Sequence, residues 1–315
     1  MASDQEPTAA QSAVFGRAPA PRVVLPPRGT VIGLCWSGVE GAGNHIVAAK
    51  IELEPERARV TKVWRPFTDA PGRRDVRSRF GAWLSEESRW AEGKLVVGVD
   101  FALSLAETHL RQLGLLRQAL KGPAALGRAL EERFLTEAGD FTVGASRLRE
   151  ELGKDRARVT DAYRAALLSP SSARLHRRTF FGLVTLARVD AAFPPWDPPR
   201  AGVPTLVEVR PAQVARALCG VASVRDDARD EVSRTSIRAG VLRALRSAAR
   251  LEFEMELAAP VVEDGSGDHL DALMGAVAAA SAAAQGFQGV PANVPRCEGW
   301  IHSIPEEPWR VGPER

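Results

Sequence analysis

The chain has 315 residues, of which 42 are basic and 39 acidic, for a formal net charge of +3; that length accommodates one large α/β domain or two small ones. The charge excess is too small to mark a nucleic-acid partner, which is usually met by a clustered basic patch, and no apolar run approaches the ~20 residues that span a bilayer. Cys35, Cys219 and Cys297 are too scattered for a disulfide framework or a zinc site, so a soluble, cytoplasmic protein with no membrane partner is expected.

Residues 1 to 28 are rich in Ala, Pro and polar residues, lack the apolar core of a signal peptide, and are expected to form a disordered leader. VIGLCW, residues 31 to 36, has the continuous apolar character of a strand covered on both faces. HIVAAKIELE (45–54) and RVTKVW (59–64) follow after a glycine-rich turn and a short polar break, which predicts an antiparallel meander of three strands. In DVRSRFGAWLSEESRW (75–90), Val76, Phe80, Trp83 and Leu84 recur at spacings of three and four, on one helical face. KLVVGVDF (94–101) reads as a fourth strand. Residues 102 to about 190 carry only helical patterns and form a helical insertion.

A proline-rich loop leads to a fifth strand, TLVEVRP (205–211), whose Pro211 suits the first position of the helix PAQVARALCG. DEVSRTSIRAGVLRALRSAARL (230–251) predicts a long amphipathic helix with Ile237, Val241, Leu242 and Leu245 inward and Arg234, Arg238, Arg243, Arg246 and Arg250 on a solvated face. The last helix, GDHLDALMGAVAAASAAA (267–284), consists of residues small enough for close packing on a sheet. A single α/β domain over residues 29 to 303, followed by a tail to residue 315, is the expected organisation.

Three places carry chemistry. Asp100 ends the fourth strand, where it serves either as a cap for the residues that follow or as a carboxylate at the ligand-binding edge of an open sheet. Glu208 lies between Val207 and Val209 in a strand covered on both faces, so it needs a cation, a metal or a proton; an arginine such as Arg178 is one candidate partner. Asp268 and Asp271 stand three apart on one helical face, with His269 turned away. Asp268 suits the positive end of the helix dipole, and Asp271 points toward the sheet. Carboxylates gathered in this way bind hard divalent cations, and two ions ~3.5 to 4 Å apart can activate water and stabilise the leaving oxygen of a phosphodiester. The turn with Gly38, Gly41 and Gly43 offers an alternative, a phosphate cradle of backbone amides. Arg174, Arg177 and Arg178 offer phosphate contacts or simply face water.

The motifs GLCWSG, VVGVDFALSL, RRTFFG, LVEVRP, DHLDAL and EGWIH occur in order between about residues 30 and 302. Together they resemble an uncharacterised bacterial and archaeal family of predicted nucleases with a ribonuclease-H-like fold. The resemblance implies a five-stranded mixed sheet of order 3-2-1-4-5, helices on both faces and the helical insertion between strands 4 and 5. It also implies a hydrolase using Mg²⁺ or Mn²⁺, with nucleic acid as partner; protein partners are unspecified. Asp100, Glu208, Asp268 and Asp271 take the catalytic positions, with Asp100, Glu208 and Asp271 as metal ligands, and Ser37, Arg177 and Arg178 fall on the substrate side. The DxxDA pattern looks like the closing helix of Holliday-junction resolvases.

Cys35 departs from the pattern, because the first-strand position is an aspartate in ribonuclease-H-like enzymes and a neutral thiol is a soft, poor partner for Mg²⁺. Three readings follow. Catalysis is weakened or lost while binding remains; one metal suffices or Glu208 replaces the missing charge; or Cys35 acts as a thiolate. A fourth is structural, since free cysteine is often a small buried hydrophobe. A catalytically silent binding protein and a phosphate-ligand enzyme therefore stand beside the nuclease as alternatives.

Overall fold

Alternation along the first apolar run places successive side chains on opposite sides of a sheet. In the computed structural model, which describes residues 23–55, 57–135, 140–153, 156–163, 173–221, 224 and 230–304, this run is β1 (Gly29–Cys35). Val31 and Cys35 pack into one buried cluster, and Ile32, Leu34 and Trp36 into another on the opposite side. Strands β2 (Val47–Glu54) and β3 (Arg57–Trp64) complete the antiparallel meander, with a register irregularity at Lys50/Ile51. Helix α1 (Arg73–Trp90) buries Val76, Phe80 and Leu84, and Trp83 packs partly buried beside them. Strand β4 (Leu95–Val99) then lies parallel to β1, with Leu34 opposite Val99.

The helical insertion contains α2 (Glu107–Gln112), α3 (Leu116–Leu120), α4 (Pro123–Phe134), α5 (Phe141–Leu152), α6 (Val159–Tyr163) and α7 (Ala173–Leu186). Asp140 caps α5 by accepting from the amides of Thr142 and Val143. Phe180, Phe181, Leu183 and Val184 of α7 are fully buried, and Phe181 stacks on Trp36 with centroids 5.2 Å apart. The chain returns through β5 (Thr205–Val209), α8 (Pro211–Cys219), α9 (Glu231–Ala249), β6 (Leu251–Phe253), α10 (Met255–Glu263), α11 (Asp268–Ala284) and β7 (Ile301–His302).

The sheet has seven strands, in the order β6-β3-β2-β1-β4-β5-β7, where five were expected. The two additional strands, β6 and β7, are parallel edge strands of three and two residues. Such short segments show no periodicity of their own; pairing with β3 and β5 creates them.

Helix α11 lies directly on the sheet because neither surface carries bulk at the crossing. A Cβ on Gly33 would lie 1.9 Å from the Ala272 carbonyl oxygen, and one on Gly98 2.6 Å from that of Gly275. The run of Ala and Gly in α11 is therefore a packing requirement set by two glycines on adjacent strands. On α9, Val241, Leu242 and Leu245 are buried as expected, but so is Arg238. Its Nε donates to the Val262 carbonyl at 2.7 Å and its Nη2 to Glu231 at 2.5 Å. The expected solvated stripe is thus broken where the exposed-looking face of α9 meets the end of α10, whose terminal carbonyls take an arginine.

Residues 1–22 of the expected leader and 305–315 of the expected tail lie outside the described residues, whereas Val23 is buried and its amide donates to the Ala248 carbonyl. Among the described residues no helix is long and apolar enough to cross a membrane.

Candidate metal and anion site

Two residues along a strand and four along a helix advance the chain by similar distances, ~6 to 7 Å. With Gly33 seated under Ala272 and Ala276, the next residue on the same face of β1, Cys35, therefore meets the first turn of α11. The Cys35 thiol donates to Asp268 Oδ1 at 3.4 Å, and ligand atoms of Cys35, Asp268 and Asp271 all lie within 4.8 Å of one another.

The first turn of α11 is held by the loop before it. Asp264 Oδ2 accepts from the His269 amide at 2.9 Å, and the Ser266 hydroxyl lies between Asp264 Oδ1 at 2.7 Å and Asp268 Oδ2 at 2.8 Å, its single proton serving one of them at a time. Burial pushes the Asp264 carboxyl up, but the His269 amide and the Ser266 hydroxyl outweigh it and leave it below its ordinary value. The residue preceding the helix is Gly267, which has no side chain to cap it, and the Asp268 carboxylate meets Cys35 and Ser266.

Asp268 also lines a cleft of about 280 Å³ together with Ser37, His45, Arg177 and Arg178. The opposite wall is fixed by a close approach. A Cβ on Gly38 would lie 2.6 Å from the Arg178 backbone, so the turn after β1 rests on α7. Arg73 reaches the same turn, its Nη1 lying 3.5 Å from the Gly38 carbonyl oxygen. Burial lowers the Arg73 pKa, with Asp140 and Glu40 pulling against it and Arg177 adding to it. The side chain of Arg174 lies outside the described residues.

Asp100 follows β4, its amide donating to the Leu34 carbonyl at 3.2 Å. No helix begins there; α2 starts at Glu107, so the capping role is not taken up. Asp100 is 6% exposed and its Oδ2 is ion-paired with Arg178 Nη2. Arg210, at the end of β5, feels the negative charge of both Asp100 and Asp161, which works against the burial that lowers its pKa.

Glu208 is fully buried, and its partner is Arg158, not Arg178. Arg158 donates to Glu208 Oε1 at 2.5 Å and Oε2 at 2.7 Å, and to Asp161 Oδ1 at 2.8 Å; the Leu103 amide adds a bond to Glu208 Oε2 at 2.8 Å. Burial disfavours charge on Arg158, yet Glu208 and Asp161 together hold it above its ordinary range. Glu298 borders this cluster, accepting from the amides of Glu107 and Val159 at 2.7 and 2.6 Å, and burial pushes its carboxyl up. This arrangement ties the insertion to β5 and to the end of the chain.

The expected carboxylates are thus divided. Among the described residues, Asp268 and Asp271 join Cys35, whereas Asp100 faces Arg178 and Glu208 faces Arg158. Ser37, Arg177 and Arg178 line one cleft. His45, Arg158 and Asp161 carry no sequence signal: a single histidine after a glycine-rich turn and an arginine in a helical pattern are ordinary surface residues until the fold encloses them. In the turn itself, the amides of Gly43, Asn44, His45 and Ile46 all donate to carbonyl oxygens of the chain, so they form no cradle of amides open to phosphate.

No family model, no curated protein and no solved structure matches this chain.

Proposed function

We propose that the chain is a ribonuclease-H-like protein that engages a nucleic-acid phosphodiester in the cleft, beside a single divalent cation held by Cys35, Asp268 and Asp271, with hydrolysis weaker than a two-ion site sustains. The convergence of those three side chains, of which Asp268 also lines a cleft with Arg177 and Arg178, carries the reading. The succession β3-β2-β1-β4-β5 inside the sheet, with β1 to β3 antiparallel and β4 and β5 parallel to β1, supports the fold assignment. Three free cysteines support a reducing, cytoplasmic setting.

The residues present discriminate between cations. A two-ion Mg²⁺ set built on Asp100, Glu208 and Asp271 does not fit, because two of those carboxylates are already ion-paired, Glu208 with the buried Arg158 and Asp100 with Arg178. One ion of borderline softness does fit: a thiolate with two carboxylates suits Zn²⁺ or Co²⁺ better than the harder Mn²⁺ and Mg²⁺. When bound, such a cation supplies Lewis-acid polarisation of a phosphoryl oxygen.

The protein's own groups divide the remaining work. Arg177 and Arg178 neutralise the non-bridging oxygens, and the Ser37 hydroxyl donates to one of them. His45, which lines the same cleft, is its candidate to take a proton from attacking water. Before a cation binds, Asp268 keeps the Cys35 thiol oriented through their hydrogen bond; a thiolate ligand gives up that proton when the cation takes its place.

The reading is tested with labelled single-stranded DNA and RNA, incubated with wild-type protein and with the Asp268→Asn, Asp271→Asn double variant in Mn²⁺ or Zn²⁺. Slow cleavage by wild type that disappears in the double variant is expected. Cleavage that survives both substitutions, or calorimetry showing no cation bound by wild type, overturns it. A second reading, a silent nucleic-acid-binding protein, is favoured by the arginine partners of Asp100 and Glu208; its mark is binding without cleavage.

A further inference from the structure

We infer that Asp100 is a positioning residue for an anion site and not a metal ligand: it holds Arg178 so that this guanidinium, with Arg177, receives a phosphate group in the cleft. The inference rests on the proposed cleft but not on its cation.

The geometry carries it in three steps. First, Asp100 is outside the Cys35, Asp268 and Asp271 group, although its backbone is bonded to β1 one residue before Cys35. Its carboxylate turns instead to Arg178. Second, a cation at Asp100 would sit against Arg178, with the charge of Arg210 acting on the same carboxylate, and like charges at that range in a partly dry site repel strongly. Third, Arg178 is fixed from both ends. Its backbone lies against Gly38 with no room for a Cβ, and its side-chain tip is tied to Asp100, yet the residue still lines the cleft with Arg177, Ser37 and His45.

An arginine with its tip tied to a buried carboxylate and its body in a cleft is pre-organised to present its guanidinium to a tetrahedral oxyanion. The rotamer entropy that a flexible arginine loses on binding is here already lost on folding. The fitting ligand is a phosphate group, either in a small phosphate ester or in a phosphodiester. The cleft thus has two separable halves: Cys35, Asp268 and Asp271 for a cation, and Arg177 and Arg178, aligned by Asp100, for an anion.

The halves are separated by titrating two probes into the full-length protein: Co²⁺, read by its thiolate-to-metal absorption, and inorganic phosphate, read by calorimetry on metal-free protein. In Asp100→Asn the expected result is an unchanged cobalt band with phosphate affinity about tenfold weaker, the scale of one charge-assisted hydrogen bond. Arg178→Met loses phosphate binding by at least as much, again with the band retained. Asp100→Glu, which keeps the carboxylate, recovers part of the loss, as a merely structural role would not require. If Asp100→Asn does not fold, Arg178→Met and Arg178→Lys decide, the latter keeping the charge but losing the fork and binding phosphate more weakly than wild type.

Loss of the cobalt band in Asp100→Asn makes Asp100 a ligand and overturns the inference. So does wild-type protein that binds no phosphate, or phosphate affinity unchanged in these variants. If wild type shows no cobalt band while phosphate binding still depends on Asp100 and Arg178, the proposed cation fails and the inference stands. A labelled oligonucleotide that competes with phosphate identifies a phosphodiester as the ligand; one that does not identifies a small phosphate ester and removes the nuclease reading.

Discussion

The thiol of Cys35 and the carboxylate of Asp268 meet at 3.4 Å across the contact between the first strand and the last long helix. A neutral donor facing an acceptor removes a repulsion that a carboxylate at position 35 would bring to this point, with Asp271 also within reach. A thiol at position 35 therefore adds no negative charge that a cation would have to offset.

Replacing Cys35 with Asp reverses this balance. Three carboxylates repel one another when no cation is present, so the variant is expected to lose ~1 to 3 kcal/mol of stability and to regain it in millimolar Mg²⁺. Wild type is expected to show little Mg²⁺ response. Calorimetric melting temperatures with and without Mg²⁺ check the prediction, and an identical response of the two proteins refutes it.

Gly33→Ala tests the seat of α11. Its new Cβ would fall 1.9 Å from the Ala272 carbonyl oxygen, where neither backbone can yield easily. A loss of about 3 kcal/mol is expected, at the upper end for overpacking. The displaced helix carries Asp268 and Asp271 away from Cys35, so any cation affinity falls with stability. Urea denaturation followed by circular dichroism reads the first effect and cobalt titration the second.

Arg158→Met leaves Glu208 and Asp161 as buried carboxylates without their cation. The expected cost is ~3 to 5 kcal/mol. Adding Glu208→Gln recovers part of it, because one of the two uncompensated charges is then gone. A double-mutant cycle by urea denaturation measures the recovery; a double variant less stable than Arg158→Met alone contradicts the pairing.

Asp264 carries an acid dependence whose sign follows from its partners. Its carboxyl lies below its ordinary value of 3.8 in the folded protein, so its contribution is present above that value and is lost as the pH falls through the folded value. Asp264→Ala is expected to cost ~1 kcal/mol at pH 7, the scale of a lost helix-start acceptor. The difference from wild type should shrink as the pH drops below about 4. Denaturation midpoints at pH 7, 5 and 3 follow this closure, and a gap that widens toward acid would exclude the role.

Much of this architecture is written in local pattern. The run VIGLC alternates between two cores, and the small residues of α11 mark a helix that must lie close to the sheet. The spacing of Asp268 and Asp271 puts both near one end of that helix, and position 35 is visible in the sequence as a thiol at a strand end. Relations of two, three or four residues are set by strand and helix geometry, which is why they are legible without a fold. The choice of partners is not. Glu208 takes Arg158 across 50 residues, Asp100 takes Arg178 across 78, and Cys35 meets Asp268 across 233. Any of several arginines meets the electrostatic need of a buried carboxylate, and only the path of the chain through the insertion decides which one arrives. The edge strands β6 and β7 and the buried Arg238 belong to the same class, since each acquires its character from a neighbour that local sequence does not name.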